Sequence, residues 1–564
     1  MKNANEETPS FNLIDEPWIL ARDKKGTTRK YSLMEIFERA VDLECLCNDL
    51  PTQDFAILRV LLAILQRAIS PMLYEEDDPA EIWEKLWDLP ELPLSAVSDY
   101  LKKWHYRFNL LDSKYPFLQV AQLERMTDLD GESPLSRVIA DVPNRNIKRL
   151  FLMRNDDNIN RISFDEAARW LIHVQAFDTG GPKSAAVGDL TAKKGKTSPG
   201  GTSWGGQIGC LFLEGQNLKE TLLLNFVPTN GNDFEQLFSD DDLPVWEQAP
   251  RIVEDGHTSR SFSRGRADLF TWQSRWVKYA IAKQQIVDVV LTAGDKLPDK
   301  NSLHAIETMT TWKLGNDKYP SYFPHLHNFE KRFWQGLSSI LASNVGLSES
   351  KNKCMPSGII KWFRYIYDHK NKLHNSIQHH VFVHAIGFKY ADSQSASYID
   401  LIDDKVSLNP YLFSKKGQEL VDLTCDCIEK TNRAMQALGK LAVKIYLASG
   451  GSNTDSGRKK QLQIKNSLEA ETSFQLDLEF RVWISNLNEN TNPPSARDKW
   501  YLIAKKVIYE SAYITIRHAN PKALVGSLVE INSKINSKKK QEQVWLTAAS
   551  AWSSFNNKLG DIFK

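Results

Sequence analysis

Hydrophobic and polar positions change rhythm several times along the chain. Residues 11–23 read as a short strand-like run, and Ser32 with Glu35 forms the capping box of a helix carrying Met34, Ile36 and Phe37. Thr52 opens a strongly apolar core helix through Ile57, Val60, Leu61, Ile64 and Leu65, and a third helix is expected near 82–89. From Thr179 to Gly206 the apolar period vanishes and Gly, Pro, Ser and Lys dominate. So long an irregular stretch inside a globular domain is uncommon and usually functional or disordered. Strand-like runs follow at 208–213 and 221–227, with others at 286–291 and 380–388. Beyond Gly417, Leu420, Leu423, Cys427, Ala434, Leu438, Leu441 and Ile445 share one helical face. Helical stretches near 466–487, 495–518 and 541–558 come next, punctuated by Gly450-Gly451, Asn492-Pro493-Pro494 and 537–540. The pattern predicts an α+β chain. A large mixed α/β domain with long loops covers 1–410, and an antiparallel four-helix bundle covers 411–564.

Composition narrows this picture. Of 564 residues 42% are hydrophobic and 25% charged, an ordinary globular balance. The six cysteines, Cys45, Cys47, Cys210, Cys354, Cys425 and Cys427, include two C-x-C pairs that match neither easy bridging nor zinc-ribbon spacing. A reducing compartment is the simpler reading. The polar N-terminus is unlike a secretory leader and no run of 18 apolar residues occurs. A cytoplasmic protein without a membrane partner is therefore expected. The net charge of +1 hides an asymmetry: residues 411–564 hold 23 Lys and Arg against 15 Asp and Glu, while 1–410 hold 48 against 55. The bundle thus carries a surplus of positive charge suited to a polyanion, or to a solvated lysine-rich surface.

Several enzyme signatures begin and fail on context. Gly201-Thr-Ser203-Trp-Gly205 matches G-x-S-x-G, but a nucleophile elbow needs a strand before it and a helix after it. Gly195-Lys196-Thr197 resembles the end of a phosphate-binding loop, yet Leu190 stands where the first glycine belongs. His374, His379, His380 and His384 invite a metal reading, but Val381 occupies the place of the glutamate in H-E-x-x-H. No catalytic constellation, cofactor or metal site emerges. What remains is loop chemistry: Thr179-Gly180-Gly181 admits close backbone approach, and Lys183, Lys193, Lys194 and Lys196 follow it with charges suited to phosphates.

Short motifs in fixed order carry a resemblance over nearly the whole chain. They are Leu13-Ile14-Asp15-Glu16-Pro17-Trp18-Ile19, Tyr31-Ser32-Leu33, Leu50-Pro51 with Gln66, and Tyr115-Pro116-Phe117-Leu118-Gln119. Gly180-Gly181-Pro182-Lys183-Ser184, Leu222-Leu223-Leu224-Asn225, Leu269-Phe270-Thr271-Trp272-Gln273 and the C-terminal bundle complete the order. The sequence resembles the large-subunit (CasA) family of the type I-E CRISPR-associated Cascade surveillance complex.

The resemblance implies a non-catalytic subunit that reads a protospacer-adjacent motif of duplex DNA from the minor groove and opens the duplex for R-loop formation. It implies a glycine loop at Thr179, Gly180, Gly181 and Lys183, and a lysine finger at Lys296. It also implies a glutamine wedge at Gln394, flanked by Asp392 and Ser393, where the family has Asn in place of Ser393. A loop at Phe151, Leu152, Arg154 and Asn155 would dock onto the complex near the guide RNA's 5′ end. Lys415, Lys416, Arg458, Lys459, Lys460, Lys538, Lys539 and Lys540 would contact DNA from the bundle. The implied partners are double-stranded target DNA, the CRISPR guide RNA, the backbone, small and guide-end-binding Cascade subunits, and a separate helicase–nuclease recruited after R-loop formation. A structural scaffold binding guide RNA and protein subunits is the alternative, and a hydrolase using Ser203 is the remaining enzyme reading.

Overall fold

The computed structural model describes residues 9–564 except 74–77, 127–133, 143–153, 155–159, 231–235, 257–259, 261, 299, 316–320, 342–353, 370–376, 378, 392–397 and 536–537. The chain divides into two compact units, 1–327 with 344–405, and 328–343 with 406–564.

The first unit begins with strands β1 (Ile19–Asp23) and β2 (Thr28–Tyr31), helix α1 (Leu33–Glu38) and strand β3 (Leu43–Leu46), the strands pairing antiparallel in the order β2-β1-β3. The expected capping box closes α1: Ser32 Oγ accepts from Glu35 N at 3.2 Å, and Glu35 Oε2 accepts from Ser32 N at 2.8 Å. Helix α2 (Pro51–Ile69) starts at a proline, whose missing N–H is no loss in the first turn. Its length and composition would suffice for a membrane span, but its side chains are mostly buried within the unit, against α4 (Leu94–Trp104), α5 (Phe164–Phe177) and α7 (Arg266–Phe270). The helix expected near 82–89 is α3 (Pro79–Asp88), capped by Asp78. Arg59 of α2 is fully buried, bonded to Glu307 at 2.8 Å and stacked between the rings of Trp204 and Phe270. Pairing and stacking together offset the cost of burying that charge.

The irregular expectation for 179–206 holds, interrupted by two-residue strands β4 (Lys183–Ser184) and β5 (Lys196–Thr197), which pair with each other. Strand β6 (Cys210–Glu214) follows. The strand expected at 221–227 is instead part of helix α6 (Leu218–Asn225). Asn217 Oδ1 accepts from Glu220 N at 3.0 Å and so caps a helix, while Leu222-Leu223-Leu224 is buried on all sides and carries no period to distinguish strand from helix. Strands β7 (Arg275–Ala282) and β8 (Gln285–Ala293) form an antiparallel hairpin with Arg275 opposite Ala293. Strands β9 (Val381–Tyr390) and β10 (Tyr398–Leu408) extend β6 into a sheet ordered β10-β9-β6.

The second unit is a bundle of α8 (Gln418–Ala448), α9 (Asp455–Ser485), α10 (Pro493–Arg517) and α11 (Ala548–Ile562), with α8 packed against the other three. Its centre is aromatic: Trp334 stacks on Phe480 at 4.7 Å, Phe480 meets Trp500 at 5.1 Å, and Trp500 donates to Thr431 Oγ1 at 3.0 Å. The fourth expected helix, 541–558, needs correction. Its first residues belong to a hairpin of β11 (Ser527–Ile535) and β12 (Lys538–Leu546), and only the part from Ala548 is helical. Thr547 caps α11 through Ser550, which sets the boundary that a lysine-rich, weakly periodic stretch conceals.

Candidate functional site

Helix α5 ends where residues from distant segments of the unit converge. Carbonyls in a last helical turn are left wholly or partly without intrahelical partners, and here side chains from distant segments bond to them, Val174 O also accepting from Asp178 N at 3.3 Å. Ser203 Oγ donates to Val174 O at 2.9 Å, and both Tyr390 and Tyr398 donate their hydroxyls to Phe177 O, at 2.9 and 3.1 Å. The next residue, Asp178, is buried and accepts from Arg275 and from Lys183, the latter at 2.7 Å. Burial alone would raise its carboxyl, but Lys183 and Arg275 outweigh that and hold it below the usual carboxylate range.

Arg275 is itself buried and fans outward from the start of β7. Its Nη2 donates to Thr179 O and Gly201 O, each at 3.0 Å, and its backbone exchanges hydrogen bonds with the Gln175 side chain. Thr179-Gly180-Gly181 is thereby pinned at its base, and Gly181 takes φ +88°, a region that favours glycine. Lys183 is turned inward to Asp178, so it holds the loop rather than offering a free charge.

The turn bearing Lys296 rests on Gln273–Arg275. Gly294 N donates to Ser274 O at 3.1 Å and Asp295 N to Gln273 O at 2.8 Å. A Cβ at Gly294 would overlap Gln273 O and Arg275 N, so only glycine fits this approach. Asp295 is buried and held by Arg251 at 2.9 Å, Arg260 at 3.2 Å and the Trp276 indole at 3.1 Å, while its carbonyl accepts from Trp272 Nε1 at 3.0 Å. Lys296, one residue on, is exposed. Gln273, Ser274 and Arg275 thus anchor both the glycine loop and the lysine turn.

The segment 391–397, between β9 and β10, starts and ends at Tyr390 and Tyr398, the two residues fixed to Phe177 O. Asp392, Ser393 and Gln394 lie outside the described residues, as do Phe151, Leu152 and Asn155. Arg154 is half-buried and engaged by Asp141 at 3.1 Å and Glu166 at 2.6 Å, contacts internal to the unit.

The bundle bases fall on separate elements. Lys415 and Lys416 are exposed just before α8, whose 31 residues span about 46 Å. Arg458, Lys459 and Lys460 are exposed in the first turns of α9, beside the other end of α8. Lys538, Lys539 and Lys540 begin β12.

The enzyme-like motifs resolve into structural parts. Ser203 is fully buried with its hydroxyl on a helix carbonyl, and a 3-10 turn at Trp204–Gln207 follows it. His384 donates between Glu214 at 3.0 Å and Asp403 at 2.6 Å. Burial opposes the imidazolium, but these two carboxylates outweigh it and raise His384 above its ordinary value. Its neighbour in the motif, His379, meets Glu220 at 2.9 Å, and His374 lies outside the described residues. Among the described residues no group of three or more His, Cys, Asp or Glu is arranged to hold a metal ion.

Asp178, Arg275, Tyr390, Tyr398 and Asp295 hold the site together without a local motif to mark them. An aspartate just before the Thr179-Gly180-Gly181 loop is the one available signal. Its partner Arg275 is 97 residues away, beyond the reach of local pattern.

The profile of the family described as CRISPR-associated protein Cse1 matches residues 12–510. A curated CRISPR-associated protein CasA/Cse1 of Thermus thermophilus is 34% identical over 274 residues, 48% of each chain, so the match spans about half the length of that relative. The crystal structure of Thermobifida fusca Cse1 superposes with a TM-score of 0.81 at 30% identity, covering 98% of both chains. A chain of a CRISPR RNA-guided surveillance complex shares the fold, with a TM-score of 0.70 at 15% identity, covering 99% of this chain and 100% of that one.

Proposed function

The chain belongs to the CRISPR-associated Cse1 family, and from that premise we propose that it is the motif-reading subunit of an RNA-guided surveillance complex. In this reading it binds duplex target DNA from the minor groove, beside the guide RNA and the other protein subunits. It opens the duplex for R-loop formation, and a separate helicase–nuclease then cleaves.

The observation that carries the reading is the convergence on Gln273–Arg275. A glycine loop without side chains, a turn presenting one exposed lysine and the ends of the 391–397 segment are all tied to α5 and the start of β7. Preorganised parts of this kind lose little entropy on binding. Gly180 and Gly181 let the backbone approach base edges, while Lys296 donates to the purine N3 and pyrimidine O2 acceptors common to all base pairs, which gives a tolerant readout. Gln394 inserts below the motif and unstacks the first pair at a cost of a few kcal/mol. Guide–target pairing then replaces duplex pairing in a nearly balanced exchange. The bundle bases, divided between its two ends, hold the displaced strand.

The test uses the assembled complex with Gly181→Asp, Lys296→Ala or Gln394→Ala. Each is expected to weaken binding of motif-bearing duplex by about 1–3 kcal/mol and leave binding of a pre-opened target nearly unchanged. Equal binding by all three variants and the unsubstituted complex would overturn the assignment and favour a scaffold role.

A further inference from the structure

Between the glycine loop and Gly201 the chain makes a second feature that motif reading does not use. Strands β4 and β5 pair, Ala185 N donates to Gly195 O at 3.0 Å, and Lys193 and Lys196 exchange backbone hydrogen bonds at 2.8 and 3.1 Å. Lys194 and Gly195 both have positive φ, +51° and +70°, the two-residue I′ geometry that closes tight hairpins. A lysine at the first of these positions is unusual, since Asn, Asp or Gly adopts that conformation with less strain.

Lys193, Lys194 and Lys196 are all exposed, and none has an acidic partner among the described residues. The one acid in 181–200, Asp189, is buried and accepts from Thr191 N and Oγ1 at 2.8 and 2.6 Å. Lys183, by contrast, is consumed by Asp178. The segment therefore separates its lysines into one internal anchor and three free charges at a tip. The stem is rigid: Ala186 is buried in a cluster with Val120, Leu123, Val253 and Trp276, the last adjoining Arg275 on β7. The tip is thus fixed relative to Gly181. Only Lys183–Ser184 of the four steps from Gly181 to Ala185 is strand, so the distance covered is at most about 13 Å, or about four nucleotides along a DNA strand.

We propose that the Lys193–Lys196 hairpin tip is a phosphate clamp, gripping the sugar–phosphate backbone within about four base pairs of the motif irrespective of sequence. The proposal rests on the motif-reading function above and adds a contact that carries no sequence information. Phosphate contacts fix register while base contacts specify. Three lysines on a rigid stem would supply that register to a glycine loop with no charge of its own.

The experiment compares the assembled complex carrying Lys193→Gln, Lys194→Asn and Lys196→Gln with the unsubstituted complex and with the triple Lys→Arg variant. Affinity for motif-bearing and motif-scrambled duplexes is measured from 50 to about 200 mM salt, the range over which counterion release is pronounced. The neutral variant is expected to lower the magnitude of the log K against log salt slope by about 2–3, weakening both duplexes by the same factor. The arginine variant restores the slope. An unchanged slope, or a loss confined to the motif-bearing duplex, overturns the clamp. If the unsubstituted complex fails to discriminate the two duplexes, the motif reading falls instead, and the slope still decides whether the hairpin touches phosphate.

Discussion

Asp178 concentrates the chemistry of the first unit in one side chain. It neutralises Lys183 and Arg275 in a buried setting, and Arg275 in turn holds Thr179 O and Gly201 O. Replacing it by asparagine leaves two buried cations facing a neutral group. Asp178→Asn is expected to lower unfolding free energy by about 3–5 kcal/mol, measured by denaturant titration of the isolated chain. His384 gives the protein a pH dependence. Its folded pKa is raised by Asp403 and Glu214, so its stabilisation is complete below the ordinary histidine value and fades as pH rises through the folded value. Stability of the protein should therefore decline above about pH 6.5, and His384→Gln should remove that part of the pH dependence. At this scale the sequence discloses the glycines and the lysine of the loops, whose meaning is local. Ion pairs between α5 and β7 depend on a fold not visible in either segment.

The elements divide by how local their determinants are. The α1 capping box, the apolar α2 and the strands β8 and β9 follow from adjacent residues and are legible. Helix α6 reads as a strand in sequence because three consecutive leucines fit either geometry, and the Asn217 cap decides it. The β11–β12 hairpin is concealed by lysines that resemble a linker. Two substitutions test how elements aim the loops. Gly294→Ala forces a Cβ into the Gln273 and Arg275 backbone and should cost about 1–3 kcal/mol of stability while displacing Lys296. Tyr390→Phe and Tyr398→Phe each remove one donor from Phe177 O. Each should cost about 0.5–1.5 kcal/mol, read by thermal denaturation, with the double variant losing more than either because the carbonyl is then left unpaired.

The molecule as a whole places a neutralised, close-packed site and a basic bundle in two units of one chain. The first unit's ion pairs are largely internal, so the negative balance of 1–410 does not describe the loops themselves. The exposed lysines of those loops, Lys193, Lys194, Lys196 and Lys296, stand apart from it. The α+β class and the terminal bundle can be read from hydrophobic period alone. That 328–343 packs with the bundle cannot, because Trp334 and Gln335 find Phe480 and Asn432 only in the folded unit. Under the proposed function this chain gives its complex a preference for a short motif in duplex DNA. The most direct measurement of that preference is the equilibrium affinity of complex assembled with and without this protein, for duplex targets that differ only in the motif. A motif-dependent difference is expected only when the chain is present, and Lys296→Ala together with Gly181→Asp is expected to abolish it. The same discrimination by complex lacking the chain would contradict the proposed function.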